Sequence, residues 1–151
     1  MPTRSHQLIA LAFYRALLAF VGLDQVGQIA IAPYRVRLWN GKFREPDVIY
    51  FLPENLDRMG EDFSQGADLV VEVVSGSKED RKRDLQTKRK EYARARIEEY
   101  WIIDPQEEQI TVLRLSGRKY VVHGKYGRGS QAASWLLDGF EVDVEEVLAG
   151  D

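Results

Sequence analysis

Apolar positions along this chain change period several times, and each change marks an element. From Arg4 to Val21 they return about every 3.6 residues, at Leu8, Leu11, Ala12, Tyr14, Leu18 and Ala19, with Arg15 on the same arc. That spacing predicts an amphipathic helix with a wide apolar stripe, stopped by Gly22. From Val26 to Trp39 the pattern loosens toward alternation around Pro33. It predicts one strand on each side of the proline, or a single bent strand. Asn40-Gly41 predicts a two-residue hairpin turn, with Glu45–Leu52 as its return strand. That return is nearly all apolar, as in a strand covered on both faces. Pro53–Gly66 is polar and aperiodic, and reads as a loop with room for a helical turn, a candidate flap.

The second half begins with Asp68–Val74, a strand broken by Ser75-Gly76-Ser77, and Lys78–Arg96, a helix with Ser77 and Asp80 as a weak capping pair. Glu99–Asp104 is a short apolar strand ended by Pro105. Ile110–Leu115 and Tyr120–Val122 predict a hairpin through Ser116-Gly117. Gly124–Ser130 reads as a glycine-rich turn, Ser134–Leu137 as a strand and Val142–Leu148 as a closing helix. The order (helix, strands, helix, strands) predicts an α/β protein with helices packed on one sheet.

Composition narrows the class. A chain of 151 residues suits one domain over 1–151. The absence of cysteine excludes disulfides and thiolate metal sites and fits a reducing, cytoplasmic setting. No signal-peptide apolar region and no run near ~18 apolar residues is present. The net charge of −3 argues against a protein that coats nucleic acid generally. Charge is nevertheless uneven: Lys78–Arg96 holds nine Lys/Arg against four acids. Such a run is either a solvated helix face or a local patch for a polyanion.

The chemistry-bearing residues stand where apolar ones are expected. Alternation puts Asp68, Val70, Glu72 and Val74 on one face of their strand. A buried Glu72 needs a cation, a hydrogen-bond partner or a solvent-filled cleft; a salt bridge to Lys or Arg would serve. On the following helix, about 100° per residue gathers Asp84, Leu85, Lys88, Tyr92 and Ala95 into the packing stripe. Arg83, Arg89, Lys90 and Arg94 fall on the outward arc. Lys88 either meets Glu72 or pairs with Asp84 at i, i+4 and snorkels outward. Asp47, after Pro46, either serves the turn or meets Glu72 if their strands are adjacent. Carboxylates on adjacent strands make a hard-oxygen site suited to Mg²⁺ or Mn²⁺. His6, at the start of the first helix with no second histidine near, reads as an exposed or capping residue.

The blocks EPDVIYF, ADLVVEVVSGS, DLQTKRKEY and EEYWIIDP, with the closing DGFEVDVEEVLA, resemble the Uma family of restriction-endonuclease-like proteins. That family belongs to the PD-(D/E)xK nuclease superfamily. The resemblance covers nearly the whole chain. It implies a restriction-endonuclease-like three-layer core, a mixed β-sheet flanked by helices, and a divalent-metal site. The family's strand aspartate falls on Asp47 and its strand glutamate on Glu72. Val74 occupies the usual lysine position, and the lysine moves to the helix as Lys88. Asp68 matches a recurrent acid that could be a ligand, a supporting group or a strand-entry cap. Asp84 and Tyr92 match positions expected to hold Lys88. Ala67 and Gly76 depart from the family's prolines, and no β-hairpin precedes the first helix, so a sheet edge is left open or covered by a partner.

The expectation is therefore a Mg²⁺- or Mn²⁺-dependent DNA endonuclease. Asp47, Glu72 and Lys88 are its catalytic residues, Asp47, Glu72 and Asp68 its metal ligands, and Lys82, Arg83, Arg89 and Lys90 its nucleic-acid contacts. A homodimer would cut both strands naturally. The alternative is a non-catalytic binding or assembly module on the same fold. A small-molecule hydrolase has little support: GxSxG is absent, cysteine is absent, and His6 and His123 are far apart in sequence.

Overall fold

A computed structural model describes residues 3–22 and 27–150. The first helix, α1 (Arg4–Val21), starts where the Thr3 side chain accepts a hydrogen bond from the His6 amide and ends at Gly22, φ 67°. Its buried face is Ile9, Ala12, Phe13, Leu17 and Val21. Leu8, Leu11 and Leu18 lie to one side of that face and are 36–40% exposed. Of the stripe expected from the 3.6-residue count only Ala12 is buried, so the core-facing arc is turned to a different side of the helix.

Four strands follow: β1 (Gln28–Ile31), β2 (Arg35–Trp39), β3 (Lys42–Arg44) and β4 (Val48–Phe51). Asn40-Gly41 makes the expected turn, but the return strand is β3, which pairs with β2. Glu45 and Pro46 interrupt the chain, and β4 leaves for the main sheet. Pro53–Arg58 forms a 3₁₀ helix. The loop expected there also yields a short strand, β5 (Phe63–Gln65), parallel to β2. The crossover follows: β6 (Leu69–Val73), α2 (Lys78–Lys82), a π turn at Arg83–Thr87, α3 (Lys88–Arg94) and β7 (Glu99–Asp104). Ser77 Oγ accepts from the Asp80 amide and starts α2.

The remaining strands are β8 (Gln109–Ser116), β9 (Lys119–Gly127), β10 (Gln131–Ala133) and β11 (Glu141–Asp143), closed by α4 (Val144–Ala149). The hairpin at Ser116-Gly117 forms, but β9 runs on through residues read as a glycine-rich turn. Bonds between β8 and β9 continue to Gln109↔Gly127 past a register shift. The strand expected at 134–137 forms three residues earlier, as β10.

The main sheet has the order β1-β4-β6-β7-β8-β9. Only β6 and β7 are parallel; the other neighbours are antiparallel. One face packs against α1 and α4 through Leu69, Val71, Val73 and Trp101. Phe13 meets Trp101 edge-on at 5.1 Å between ring centroids. The other face packs Val70, Val74, Tyr100 and Ile102 against Tyr92 and Ala93 of α3 and against Val36 and Leu38 of β2. The result is a three-layer α/β arrangement around a mixed sheet. No helix among the described residues is long and apolar enough to cross a membrane.

Candidate active site

The register of β4 against β6 is antiparallel, with Val48 opposite Val71 and Ile49 opposite Val70. The next step places Asp47 beside Glu72. The Val73 amide donates to Asp47 Oδ2 at 2.7 Å. This bond continues the ladder where β4 has ended, so the carboxylate does the work of a strand carbonyl. The N-terminus of α1 reaches the same end of the sheet, and His6 Nε2 lies 3.3 Å from Asp47 Oδ2. The hydrogen bond to Asp47 and the carboxylates of Asp47 and Glu72 hold His6 above its ordinary pKa, against the effect of burial. Its Nδ1 is buried without a hydrogen-bond partner. A cavity of about 300 Å³ opens here, bounded by His6, Gln7, Ile31 and Asp47.

Glu72 is 3% exposed. Its Oε2 accepts the Tyr92 hydroxyl at 2.5 Å and lies 3.0 Å from Lys88 Nζ. Lys88 Nζ also lies 2.8 Å from Asp84 Oδ1. Lys88 therefore meets Glu72, as the first reading has it, and also makes the i, i+4 pair with Asp84 of the second. The lysine does not snorkel outward; its side chain is 13% exposed. The π turn between α2 and α3 carries Asp84. The Tyr100 hydroxyl donates to the Asp84 carbonyl at 2.9 Å, satisfying a backbone acceptor beside that turn. π turns are frequent where a helix must aim a functional side chain.

Electrostatics follow from burial. Removal from water pushes the Glu72 carboxyl up to about 7, aided by Asp47 and opposed by Lys88 and the Tyr92 hydroxyl. Burial disfavours the Lys88 ammonium, but Glu72 and Asp84 outweigh it and hold its pKa above the ordinary value. Tyr92 is held well above a free tyrosine, chiefly by burial and then by Glu72, so its hydroxyl stays a donor.

The other expected residues separate. Asp68 faces the same side as Glu72 but sits four residues earlier, ~13 Å away along the strand. It accepts from the Leu52 amide at 2.8 Å and Asn55 Nδ2 at 2.9 Å, and Arg58 approaches at 3.8 Å. Asp68 is thus a strand-entry anchor for the 3₁₀ segment, and the structure does not bring it to Asp47 and Glu72. Lys82 and Arg83 are exposed, and Arg83 pairs with Asp80. Arg89 and Lys90 face a groove on the β9 side of α3.

His6 is the residue the sequence reading misplaced. Its partner is an aspartate 41 positions away, which a search for a second nearby histidine could not find. The signal was weaker: a histidine in the first turn of a helix that has no acids of its own.

Among the described residues no group of three or more His, Cys, Asp or Glu side chains has metal-holding geometry. Two carboxylates on adjacent strands remain. The contacts just described fall on Asp47 Oδ2 and Glu72 Oε2 and do not use the second oxygen of either. Mg²⁺ commonly takes only one or two carboxylates and keeps several waters, so this donor set fits it.

A mixed sheet between helical layers, with Glu72 against a helix lysine and Asp47 at the end of the neighbouring strand, places the fold in the nuclease-like α/β class. A family model described as "Uma2: Putative restriction endonuclease" matches residues 1–145, and the chain belongs to the Uma2 family. The fold is similar to a crystal structure described as a putative nuclease belonging to DUF820 from Anabaena variabilis ATCC 29413. The TM-score is 0.71 at 14% sequence identity, covering 99% of this chain and 83% of that one. No curated protein matches the sequence.

Proposed function

We propose that this protein is a divalent-metal-dependent endonuclease that hydrolyses phosphodiester bonds in DNA, with Asp47, Glu72 and Lys88 as its catalytic residues. The observation that carries this reading is the buried Glu72–Lys88–Asp84 cluster beside Asp47 on the adjacent strand. A buried ion pair is a costly way to hold a fold, and apolar packing would often do as well. Its position at a sheet end, next to a cavity and a second carboxylate, favours chemistry over scaffolding.

In this reading Asp47 and Glu72 hold Mg²⁺ or Mn²⁺. When bound, such an ion polarises a phosphoryl oxygen and makes water a stronger nucleophile at neutral pH. Lys88 supplies a fixed positive charge where negative charge develops on the phosphate, at no reorganisation cost because Asp84 and Glu72 already hold it. Tyr92 fixes the rotamer of Glu72 through its hydroxyl. The β6–α3 crossover thereby presents a lysine on a helix where related sites present one on the strand.

The test is nicking of supercoiled plasmid in Mg²⁺ or Mn²⁺ by the wild type, Asp47→Asn, Glu72→Gln and Lys88→Met. The wild type should nick. Each variant should lose at least ~100-fold in rate, as groups that stabilise developing charge commonly do. Equal activity in Glu72→Gln and Lys88→Met would remove the residue assignment. The homodimer expected for double-strand cutting is checked by sedimentation, where a monomer at nicking concentrations would remove it.

A further inference from the structure

A second feature lies on the other flank of α3. A cavity of about 830 Å³ runs between that helix and the turn joining β8 to β9. Its rim carries Arg89, Lys90, Arg94, Arg96, Arg118 and Lys119, and no acid lines it. None of the six is in an ion pair among the described residues. Arg94 stacks over the Trp39 ring at 3.8 Å, and Arg89 Nη2 lies 3.5 Å from the Tyr120 carbonyl. Leu85, Ala93 and Tyr120 also line the cavity. Asp47, Glu72 and Lys88 do not. The β8–β9 turn extends past Arg114, which pairs with Glu99 at the start of β7, whereas Glu72 is level with Ile102. The groove therefore begins at Leu85 and Arg89, next to Asp84 and Lys88 in the chain, and runs along α3 to Arg96 and Arg118 at the far end of the sheet from the carboxylates.

Arg96 is the decisive residue. It follows the last turn of α3 with φ 61°, and its amide donates to the Ala93 carbonyl while the Ile97 amide reaches the Tyr92 carbonyl. That is the Schellman arrangement, in which glycine is the favoured occupant of this position. An arginine there is held in a conformation that side chains disfavour, and its guanidinium makes no hydrogen bond or ion pair among the described residues. Local strain kept at a residue whose charge faces an uncompensated basic groove points to a ligand.

We infer that this groove binds the phosphodiester backbone of nucleic acid along α3, through cations that take no part in the proposed catalytic cluster. The geometry calls for a polyanion; the choice of nucleic acid among polyanions rests on the nuclease reading. Six cations with no ion pair among the described residues and no lining acid match a ligand that carries one charge per repeat, and binding is driven by release of its counterions.

The experiment uses the full chain, a fluorescein-labelled 20-nucleotide DNA and fluorescence anisotropy in EDTA across about 0.05–0.2 M salt. Wild type should bind. Arg96→Gly/Arg118→Gln should bind at least ~10-fold more weakly, with the salt slope reduced by about two, one for each lost phosphate contact. Arg96→Gly alone should weaken binding yet keep or raise the melting temperature, which separates ligand binding from folding. Arg128→Gln, which removes a cation paired with Glu108 outside the groove, should bind as wild type does.

The inference is overturned if wild type does not bind, if the groove variants bind like wild type, if Arg128→Gln is weakened equally, or if polyglutamate of equal charge displaces the DNA. Plasmid cleavage keeps the two readings apart. Groove-dependent binding without cleavage in Mg²⁺ or Mn²⁺ overturns the nuclease and leaves the groove. Cleavage with unchanged binding in the groove variants overturns the groove alone.

Discussion

Lys88 holds two buried acids with one charge, and its removal therefore has a pH-dependent cost. Glu72 titrates near 7 because burial outweighs the lysine. A carboxyl raised in this way fits the fold best when protonated. Its contribution to stability is full below the ordinary carboxylate pKa and is lost as pH rises through about 7. Lys88→Met deletes the opposing charge, so the Glu72 midpoint should move up, readable from the side-chain carboxyl carbon by NMR. Stability should fall by about 3 kcal/mol at pH 8, the cost of a broken buried pair. At pH 5, where Glu72 is neutral, the loss should be clearly smaller. An equal loss at both pH values in urea unfolding would show that the lysine matters through packing alone. This cluster was legible in the sequence because two simple periods exposed it: alternation put Glu72 on the face of Val70 and Val74, and the helix repeat put Lys88 with Tyr92. His6 was not legible, because nothing local to α1 says that its first turn ends beside Asp47.

At the scale of elements, α3 is fastened on two sides. Beneath it, Tyr92 meets Tyr100 edge-on at 5.0 Å between ring centroids. On its flank, Arg44 of β3 donates to Glu91 through Nε at 2.7 Å and Nη2 at 3.0 Å, and Lys42 lies 3.3 Å away. Partial burial pushes Glu91 up, but Arg44 and then Lys42 prevail and hold it below its ordinary pKa. The stability this gives is present above the ordinary carboxylate range and is lost as pH falls through the lowered value. Glu91→Gln should therefore cost about 1 kcal/mol near pH 7, with the gap to wild type closing at acid pH. Denaturant midpoints at pH 7 and pH 3 measure it, and a pH-independent gap would sink the argument. The β2–β3 hairpin that makes this clamp was foreseen at its turn and misread at its return. Lys42–Arg44 is too short and too polar to register as a strand, while the apolar run after Pro46 looked like the natural partner. Run length and polarity reported burial there, and pairing is a different quantity. The same limit hid β5, three residues whose strand character comes only from lying beside β2.

For the molecule as a whole, the layered fold was readable from the order of periods, but the separation of its two charged regions was not. The sequence placed acids, lysine and arginines in one stretch, and α3 turns Lys88 to Glu72 but Arg89, Lys90, Arg94 and Arg96 to a groove that runs to the far end of the sheet. That separation matters for the choice between a working nuclease and a binding module that keeps the fold, because a module needs only the basic groove. Metal binding decides the matter without any cleavage assay. If Asp47 and Glu72 form the ion site, Mn²⁺ should stabilise the folded chain by mass action, by about 2.7 kcal/mol at 100 times its dissociation constant. Glu72→Gln and Asp47→Asn should abolish that gain, while Asp68→Asn, altered at the far end of the strand, should keep it. Because the ligand is the deprotonated carboxylate, Mn²⁺ affinity should weaken as pH falls through about 7, where protons begin to compete for Glu72. Thermal unfolding with and without Mn²⁺ at pH 6 and pH 8 reads both effects. Stabilisation that survives Glu72→Gln, or none at either pH, would leave the fold as a scaffold for the groove and remove its catalytic centre.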